Sequence, residues 1–526
     1  MRNIKMLDCT LRDGGCVNNF NFGSFYMNQI LHGIEQSGVE IIELGYIDSE
    51  AGSVNERTQF CDEQVITQNF LKIKKPGITY VAMVDYGKYN PDLLQPRTDQ
   101  TIDGIRLAFH KRNRKDILAW GRTILDKGYK LFIQPMTCLR YSDLEMLDLI
   151  NDVNKFLPEV SAFYIVDSFG EMRLNEMNRI ANLVNHNLNP NIPMGLHSHN
   201  NLQLSYSNAV TLLNFPTERD LIFDASIMGM GKGAGNLTTE LFAEHLNLYL
   251  GKKYLIAPLL EVIDKAINQI RANYSWGYAV EYYLSATNHC TPSYAGHYYK
   301  KHMLSVDQVA ELLGMLEESK KVSFDKAYAD ELYYQYNAAN CTDEEDIIKL
   351  REIINGKTVL LVAPGKSVLK YVEDISEVLK NDSIVSIALN NKPIFDTDYA
   401  FVTKLTAYDV VKNHGIKLIL SSNVPVKETE AFVINYNFLT NYNGKSSDNS
   451  TIMIFNLLIN IGVESVLLAG FDGFSADVDA NYYDEALKRP VNKIQADDRN
   501  KLIKQFLDEV SNKIHISFLT PSIYQD

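Results

Sequence analysis

Arg12 and Asp13 close a short apolar-leaning run, Leu7-Asp8-Cys9-Thr10-Leu11, and are followed by Gly14-Gly15. A guanidinium binds carboxylate or enolate oxygens through its planar fork. A carboxylate beside it binds a hard or borderline divalent cation. Two glycines let a ligand approach the backbone. Alone, Arg-Asp reads as a surface ion pair. Far along the chain, however, His197-Ser198-His199 closes a second apolar run. Residues two apart on a strand point the same way, so both imidazoles can reach one ion, with Asp13 as third ligand. One carboxylate and two neutral imidazoles leave open positions for substrate and water. Mn²⁺, Mg²⁺, Zn²⁺, Co²⁺ and Fe²⁺ all suit that donor set.

A third stretch, Gly229-Met230-Gly231-Lys232-Gly233-Ala234-Gly235-Asn236, is flexible on its face. Placed after the last strand of a closed sheet, it would wrap the same site. Asn236 would add an oxygen near the metal, and Lys232 would reach an anionic group.

These residues need elements to hold them. Short apolar runs predict strands at 5–11, 40–46, 78–84, 104–109, 130–136, 162–168, 193–199 and 220–227. Amphipathic segments lie between them, as at 142–157 and 173–188. Eight strand–helix pairs in roughly 250 residues is the size of a (β/α)8 barrel. A doubly wound open sheet is the alternative. The strand ends favour the barrel: Arg12, Asp13, Glu43, Gln134, Asp167, Ser168, His197 and His199 would all gather at one mouth. The fold class is therefore α/β, with a barrel over 1–250. A mostly helical extension over 251–355 carries a polar, aromatic loop at 285–297. A charged helix start, Asp343-Glu344-Glu345-Asp346, precedes a boundary near Asn355-Gly356. Over 356–526 the alternation restarts as a smaller Rossmann-like unit, with strands at 358–364, 383–389, 399–403, 417–422, 431–436, 464–470 and 515–520.

The chain has 526 residues, 46% hydrophobic and 22% charged, with a formal net charge of −14. That charge argues against nucleic-acid and anionic-membrane partners, although a pocket can be locally basic. Six scattered cysteines without a Cys-x-x-Cys pair suit a reducing cytoplasm. The chain opens on a strand pattern with no signal segment, and no apolar run is long enough to span a bilayer. A homo-oligomer is compatible with all of this.

Three stretches carry a family resemblance: Leu7 to Gly14, His197-Ser198-His199-Asn200-Asn201 and Gly231 to Asn236. They look like the signatures of the pyruvate-carboxyltransferase-like (HMGL-like) metal-dependent barrels. That group includes hydroxymethylglutaryl-CoA lyase, isopropylmalate synthase and 4-hydroxy-2-oxovalerate aldolase. The likeness covers about residues 1–300. Two details favour the aldolase branch. Val166-Asp167-Ser168-Phe169-Gly170 is similar to its Asp-Ser-Gly-Gly, and Tyr294-Ala295-Gly296 to the Tyr-Ala-Gly that carries its active-site tyrosine. The resemblance implies a divalent metal on Asp13, His197 and His199, manganese first, with magnesium, zinc or cobalt also compatible. It implies enolate stabilisation by Arg12, a 2-oxo acid substrate framed by Ser168, His197 and Tyr294, and catalytic roles for Arg12 and Tyr294. The activity expected is that of a class II aldolase releasing pyruvate and an aldehyde. Alternatives are a Claisen-type acyltransferase using acetyl-CoA, or a non-catalytic barrel. One departure stands out: Cys16 occupies the position of the aldolase's proposed basic histidine. The base is left open among Tyr294, Lys232, His289, His297, a metal-bound water, or no base at all. Met230 and Lys232 stand where the CoA lyase has its cysteine.

In the C-terminal part, Gly365-Lys366-Ser367 follows a strand, but the P-loop spacing is absent because position 360 is leucine. A strand–turn–helix can still bind phosphate at the helix start. Asn390-Asn391 and Gly470-Phe471-Asp472-Gly473 would share that edge. The arrangement resembles small bacterial sialyltransferases and pterin-pyrophosphokinase-like domains. The resemblance implies a nucleotide or nucleotide-sugar, a CMP-sugar first, near Gly365, Ser367, Asn390 and Asp472.

Overall fold

The computed structural model describes residues 2–52, 56–71, 74–299, 304–338, 343–392, 394–425, 430–442, 445–488 and 491–525. The chain forms two compact units: Met1–Gly296 with Glu317–Ser323, and His297–Leu316 with Phe324–Asp526. The helical stretch after the barrel is thus divided between them.

The first unit is a closed parallel barrel. Its strands are β1 (Ile4–Asp8), β2 (Ile41–Ile47), β3 (Thr79–Asp85), β4 (Gly104–Phe109), β5 (Lys130–Pro135), β6 (Ala162–Asp167), β7 (Met194–Ser198) and β8 (Leu221–Ala225). Each pairs with its neighbour in chain order, and β1 pairs with both β2 (Leu7 with Ile41) and β8 (Ile4 with Leu221). These runs are apolar almost throughout because helices cover the outer face and other strands face the inner one. In β4, β6, β7 and β8 every residue is buried. The helices begin where local chemistry starts them. At Asp143–Phe156, Ser142 Oγ accepts from the Glu145 amide and Glu145 Oε2 accepts from the Ser142 amide, a reciprocal cap. The expected strands and both named helices lie where the sequence pattern puts them, within a residue or three.

The second unit is built on a seven-stranded parallel sheet. In chain order its strands are β9 (Thr358–Val362), β10 (Ile384–Leu389), β11 (Tyr399–Val402), β12 (Lys417–Ser421), β13 (Phe432–Ile434), β14 (Ser465–Ala469) and β15 (His515–Phe518). The spatial order is β13-β12-β11-β10-β9-β14-β15. The order reverses between β9 and β14, and a crevice opens there at the carboxyl ends of the strands. Among the described residues no helix is long and apolar enough to cross a membrane. The five described cysteines are free thiols, and Cys341 lies outside the described residues.

Candidate metal centre

β1 closes at Asp8 rather than at residue 11, so Arg12 and Asp13 lie in a turn beyond it and not directly at its end. The amides of both donate to the Cys9 carbonyl, at 3.1 and 2.8 Å. That turn is pinned from below. Asp8 accepts from the Thr10 amide and from Thr239 Oγ1, and Thr10 Oγ1 accepts from the Ile227 amide. Asp13 is thereby fixed beside β7, which carries His197, with His199 one residue past its end.

Asp13, His197 and His199 are all buried and each offers a ligand atom, the three lying within 4.8 Å of one another. His199 Nε2 is 3.8 Å from Asp13 Oδ2. The other nitrogen of each ring is engaged: His197 Nδ1 with Asp224 Oδ2 at 2.9 Å, His199 Nδ1 with the Lys232 carbonyl at 3.2 Å. Such partners fix ring orientation and aim the second nitrogen at a metal. Burial above all lowers His199 to about 4, so its ring is neutral at pH 7. Burial opposes ionisation of Asp13, but Arg12 and the two histidines outweigh it and hold the carboxyl well below its usual range.

The donor set fits a divalent cation, and two further observations agree. Asn236 donates to Asp13 Oδ2 and to the Met230 carbonyl, yet its own Oδ1 is buried without a hydrogen-bond partner. A Cβ at Gly231 would overlap Asn236 Nδ2 and stand 2.8 Å from Asp13 Oδ2, so only glycine fits this wall of the cradle.

Arg12 lies against the triad. Its Nε donates to Glu43 Oε2 at 2.7 Å and its Nη1 to Asp13 Oδ1 at 2.9 Å. Its Nη2 is buried without a hydrogen-bond partner, a preset donor for a substrate oxygen. Below it runs an ion network inside the barrel. Arg106, fully buried, pairs with Glu43 at 2.7 Å and with Asp224, and packs over the Tyr164 ring. Burial works against the ionised Asp224, but Arg106 and then His197 hold it below its usual range. Arg106 and Asp224 were not foreseen. Their only sequence signal is one charge inside an otherwise apolar strand.

The mouth holds other groups. Asp85, at the end of β3, is raised by burial and bonded to the Tyr46 hydroxyl. Cys16 keeps surface open to solvent, while its Sγ donates to Asp13 Oδ1 at 3.8 Å; burial of the sulfur, then the Asp13 charge, pushes the thiol up to about 12. It is no thiolate. The Lys232 side chain is exposed, and its charge is felt at Cys16, Asp85 and His110. Ser168 Oγ accepts from the Thr137 amide at 2.9 Å beside the carboxyl end of β6. Tyr294 is fully buried, and its hydroxyl donates to the Ser323 carbonyl at 3.3 Å. His297 pairs with Asp330 in the second unit, at 2.8 Å.

In the second unit the crevice forms a pocket of about 130 Å³ lined by Gly365, Asn390, Lys404, Asp472, Phe474 and Tyr524, among others. Asp472 accepts from the Ser367 amide at 2.8 Å and from Ser367 Oγ. The turn amide expected to face a phosphate is therefore already held by a carboxylate. The helix that follows is a single four-residue 3₁₀ turn, Lys366–Leu369.

Residues 113–258 match the family model HMGL-like. The 4-hydroxy-2-oxovalerate aldolase of Moorella thermoacetica is 27% identical over 243 residues, which is 45% of this chain and 69% of the relative. That of Marinomonas sp. is 25% identical over 288 residues, 52% of this chain and 82% of the relative. Among solved structures, the N-terminal domain of a candidate aldolase from Bacteroides vulgatus superposes with a TM-score of 0.51 at 24% identity. It covers 58% of this chain and 99% of that one. The carboxyl transferase domain of Rhizobium etli pyruvate carboxylase superposes with a TM-score of 0.50 at 11% identity, covering 67% of this chain and 65% of that one. These two likenesses concern the fold.

Proposed function

We propose that the barrel, which carries the HMGL-like domain, is a divalent-metal-dependent lyase that cleaves or forms a 4-hydroxy-2-oxo acid, with pyruvate and an aldehyde as the other side of the reaction. The observation that carries this reading is the pairing of the Asp13, His197 and His199 cluster with the unpartnered, buried Nη2 of Arg12. A cation on that cluster, manganese first, would supply Lewis acidity towards the keto group of the substrate.

The chain's own residues do the rest. Arg12 is held rigid by Glu43 and Asp13, so its free donor costs no reorganisation when charge develops on the enolate oxygen. Ser168 sits at the rim for the substrate's polar groups. When the 4-hydroxyl loses its proton, the C3–C4 bond breaks, the aldehyde leaves and pyruvate enolate stays against Arg12. Condensation runs the same steps backwards. The Claisen alternative lacks support from the Tyr-Ala-Gly segment, and acetyl-CoA dependence separates the two. The setting proposed is the cytoplasm.

The test is pyruvate release from a 4-hydroxy-2-oxo acid by metal-loaded enzyme, in the parent and in Arg12→Lys. Lysine keeps the charge and loses the fork. The expected loss falls on kcat, on the order of 10²-fold or more. A loss confined to KM would make Arg12 a carboxylate binder only, and a parent without pyruvate release would remove the lyase reading.

For the second unit, the pocket beside Asp472 supports a small polar ligand, and a nucleotide or nucleotide-sugar is the class proposed. With Asp472 on the Ser367 amide, its phosphate would sit elsewhere than at that turn. Calorimetry of the full chain with CMP, CMP-sugar and inorganic phosphate tests this. The nucleotides are expected to bind and phosphate alone is not, while silence from every nucleotide would remove the class.

A further inference from the structure

His289 sits in the turn between the helices Val280–Thr287 and Pro292–Tyr299, with φ at 60°. A left-handed backbone is uncommon for a residue with a Cβ and persists only where the surroundings impose it. Here Arg140 Nη2 donates to the His289 carbonyl at 3.2 Å, and His289 Nδ1 lies 2.5 Å from Glu171 Oε2. Glu171 is buried, and its Oε1 accepts from Arg140 Nη2 at 2.6 Å. The imidazole itself is 59% exposed. A carboxylate at Nδ1 holds the proton on that nitrogen, which leaves Nε2 as the acceptor of the neutral ring.

The pair stands on the barrel's working rim. Arg140 follows β5 and Glu171 follows β6, both at carboxyl ends. Glu171 is next to Gly170, which backs onto the metal cluster: a Cβ there would overlap the Asn201 amide nitrogen and lie 2.9 Å from the His199 carbonyl. Asp167 links the two sides, its Oδ1 accepting from the Glu171 amide and its backbone oxygen from the His199 amide. Two of the other candidate groups are committed elsewhere. Tyr294 donates to the Ser323 carbonyl and Cys16 to Asp13.

We propose that His289, positioned by Glu171, is the proton-transfer residue of the reaction; the proposal rests on the lyase reading above. Neutral Nε2 takes the proton of the substrate's 4-hydroxyl. The O–H electrons become the carbonyl of the departing aldehyde, and the C3–C4 pair becomes the enolate. The imidazolium, its charge balanced by Glu171, then returns the proton to C3 to give pyruvate, and the ring is neutral again. No other reactant is needed. This is the order nucleophile–base–carboxylate systems use to hold a histidine tautomer.

The experiment compares parent, His289→Gln and Glu171→Gln with 4-hydroxy-2-oxopentanoate as substrate and oxalate as a non-reacting enolate analogue. Glutamine at 289 keeps a donor for Glu171 but cannot shuttle a proton. The expected result is a kcat loss of roughly 10²–10⁴-fold, with KM, oxalate affinity and thermal midpoint unchanged. Glu171→Gln is expected to lower kcat while leaving KM and oxalate affinity unchanged, since Glu171 acts only through the ring it holds. A His289→Gln enzyme with parental kcat overturns the proposal and leaves the lyase reading standing. Raised KM, weakened oxalate binding and a lowered midpoint would make His289 a structural pin and also overturn it. A parent that releases no pyruvate removes both readings together.

Discussion

His199→Ala is expected to leave the barrel folded and without its metal. The ring is neutral at physiological pH, so it is available as a ligand without first losing a proton. Its Nδ1 is held by the Lys232 carbonyl, and losing one such bond costs about 1 kcal/mol. Asp13 and His197 alone would not retain a cation through dialysis. Lewis-acid assistance is worth several kcal/mol, so pyruvate release should fall about 10³-fold or more, at 1.36 kcal/mol per factor of ten. Metal analysis of dialysed protein and circular dichroism check the two halves. One ion per chain still bound to the variant would remove His199 from the ligand set.

Arg106→Met should do the opposite: keep the ligands and undermine the fold. Among the described residues, Arg106 is the one cation that pairs with both Glu43 and Asp224, and all three are buried. Removing it leaves two buried carboxylates short of a partner, a loss of about 3–5 kcal/mol. For a unit of this size that lowers the thermal midpoint by roughly 10 °C. Neutralising all three positions, as Arg106→Met with Glu43→Gln and Asp224→Asn, is expected to recover much of the midpoint, because an apolar or neutral set often matches a buried ion network. It should not recover turnover, since Glu43 also anchors Arg12 and Asp224 orients His197. Calorimetric melting with a parallel pyruvate assay reads both. A midpoint within a degree of the parent would show that the network carries no stability.

The parts of this site that follow a period are legible in the order of the amino acids alone. Apolar runs place the strands, and the i, i+2 spacing puts both histidines on one face. What escapes is set by residues far apart in the chain. Arg106 and Asp224 meet across the barrel interior, 118 positions apart, and no local spacing announces such a meeting. The first strand reads as running to residue 11 because Thr10 and Leu11 extend the apolar run, but the Asp8–Thr10–Thr239 hydrogen bonds bend the chain first. Tyr294 is legible as a motif, but its burial is not, because the acceptor of its hydroxyl comes from residues 317–323. His289 is legible only as one of several bases; its carboxylate partner lies 118 positions upstream.

The short stretch Glu317–Ser323 has a consequence for how the chain is made. It belongs to the first unit, yet Leu316 before it and Phe324 after it belong to the second. The Lys321 carbonyl accepts from the Thr291 amide, and the Ser323 carbonyl from Tyr294. During synthesis the eight strands are complete by Ala225, but the segment bearing His289 waits for a stretch of second-unit sequence to emerge before its last contacts exist. A nascent barrel would therefore close early and gain a settled rim late. An expressed fragment ending at Gly296 would freeze the protein in that interim state, barrel formed and the turn after it short of its clasp.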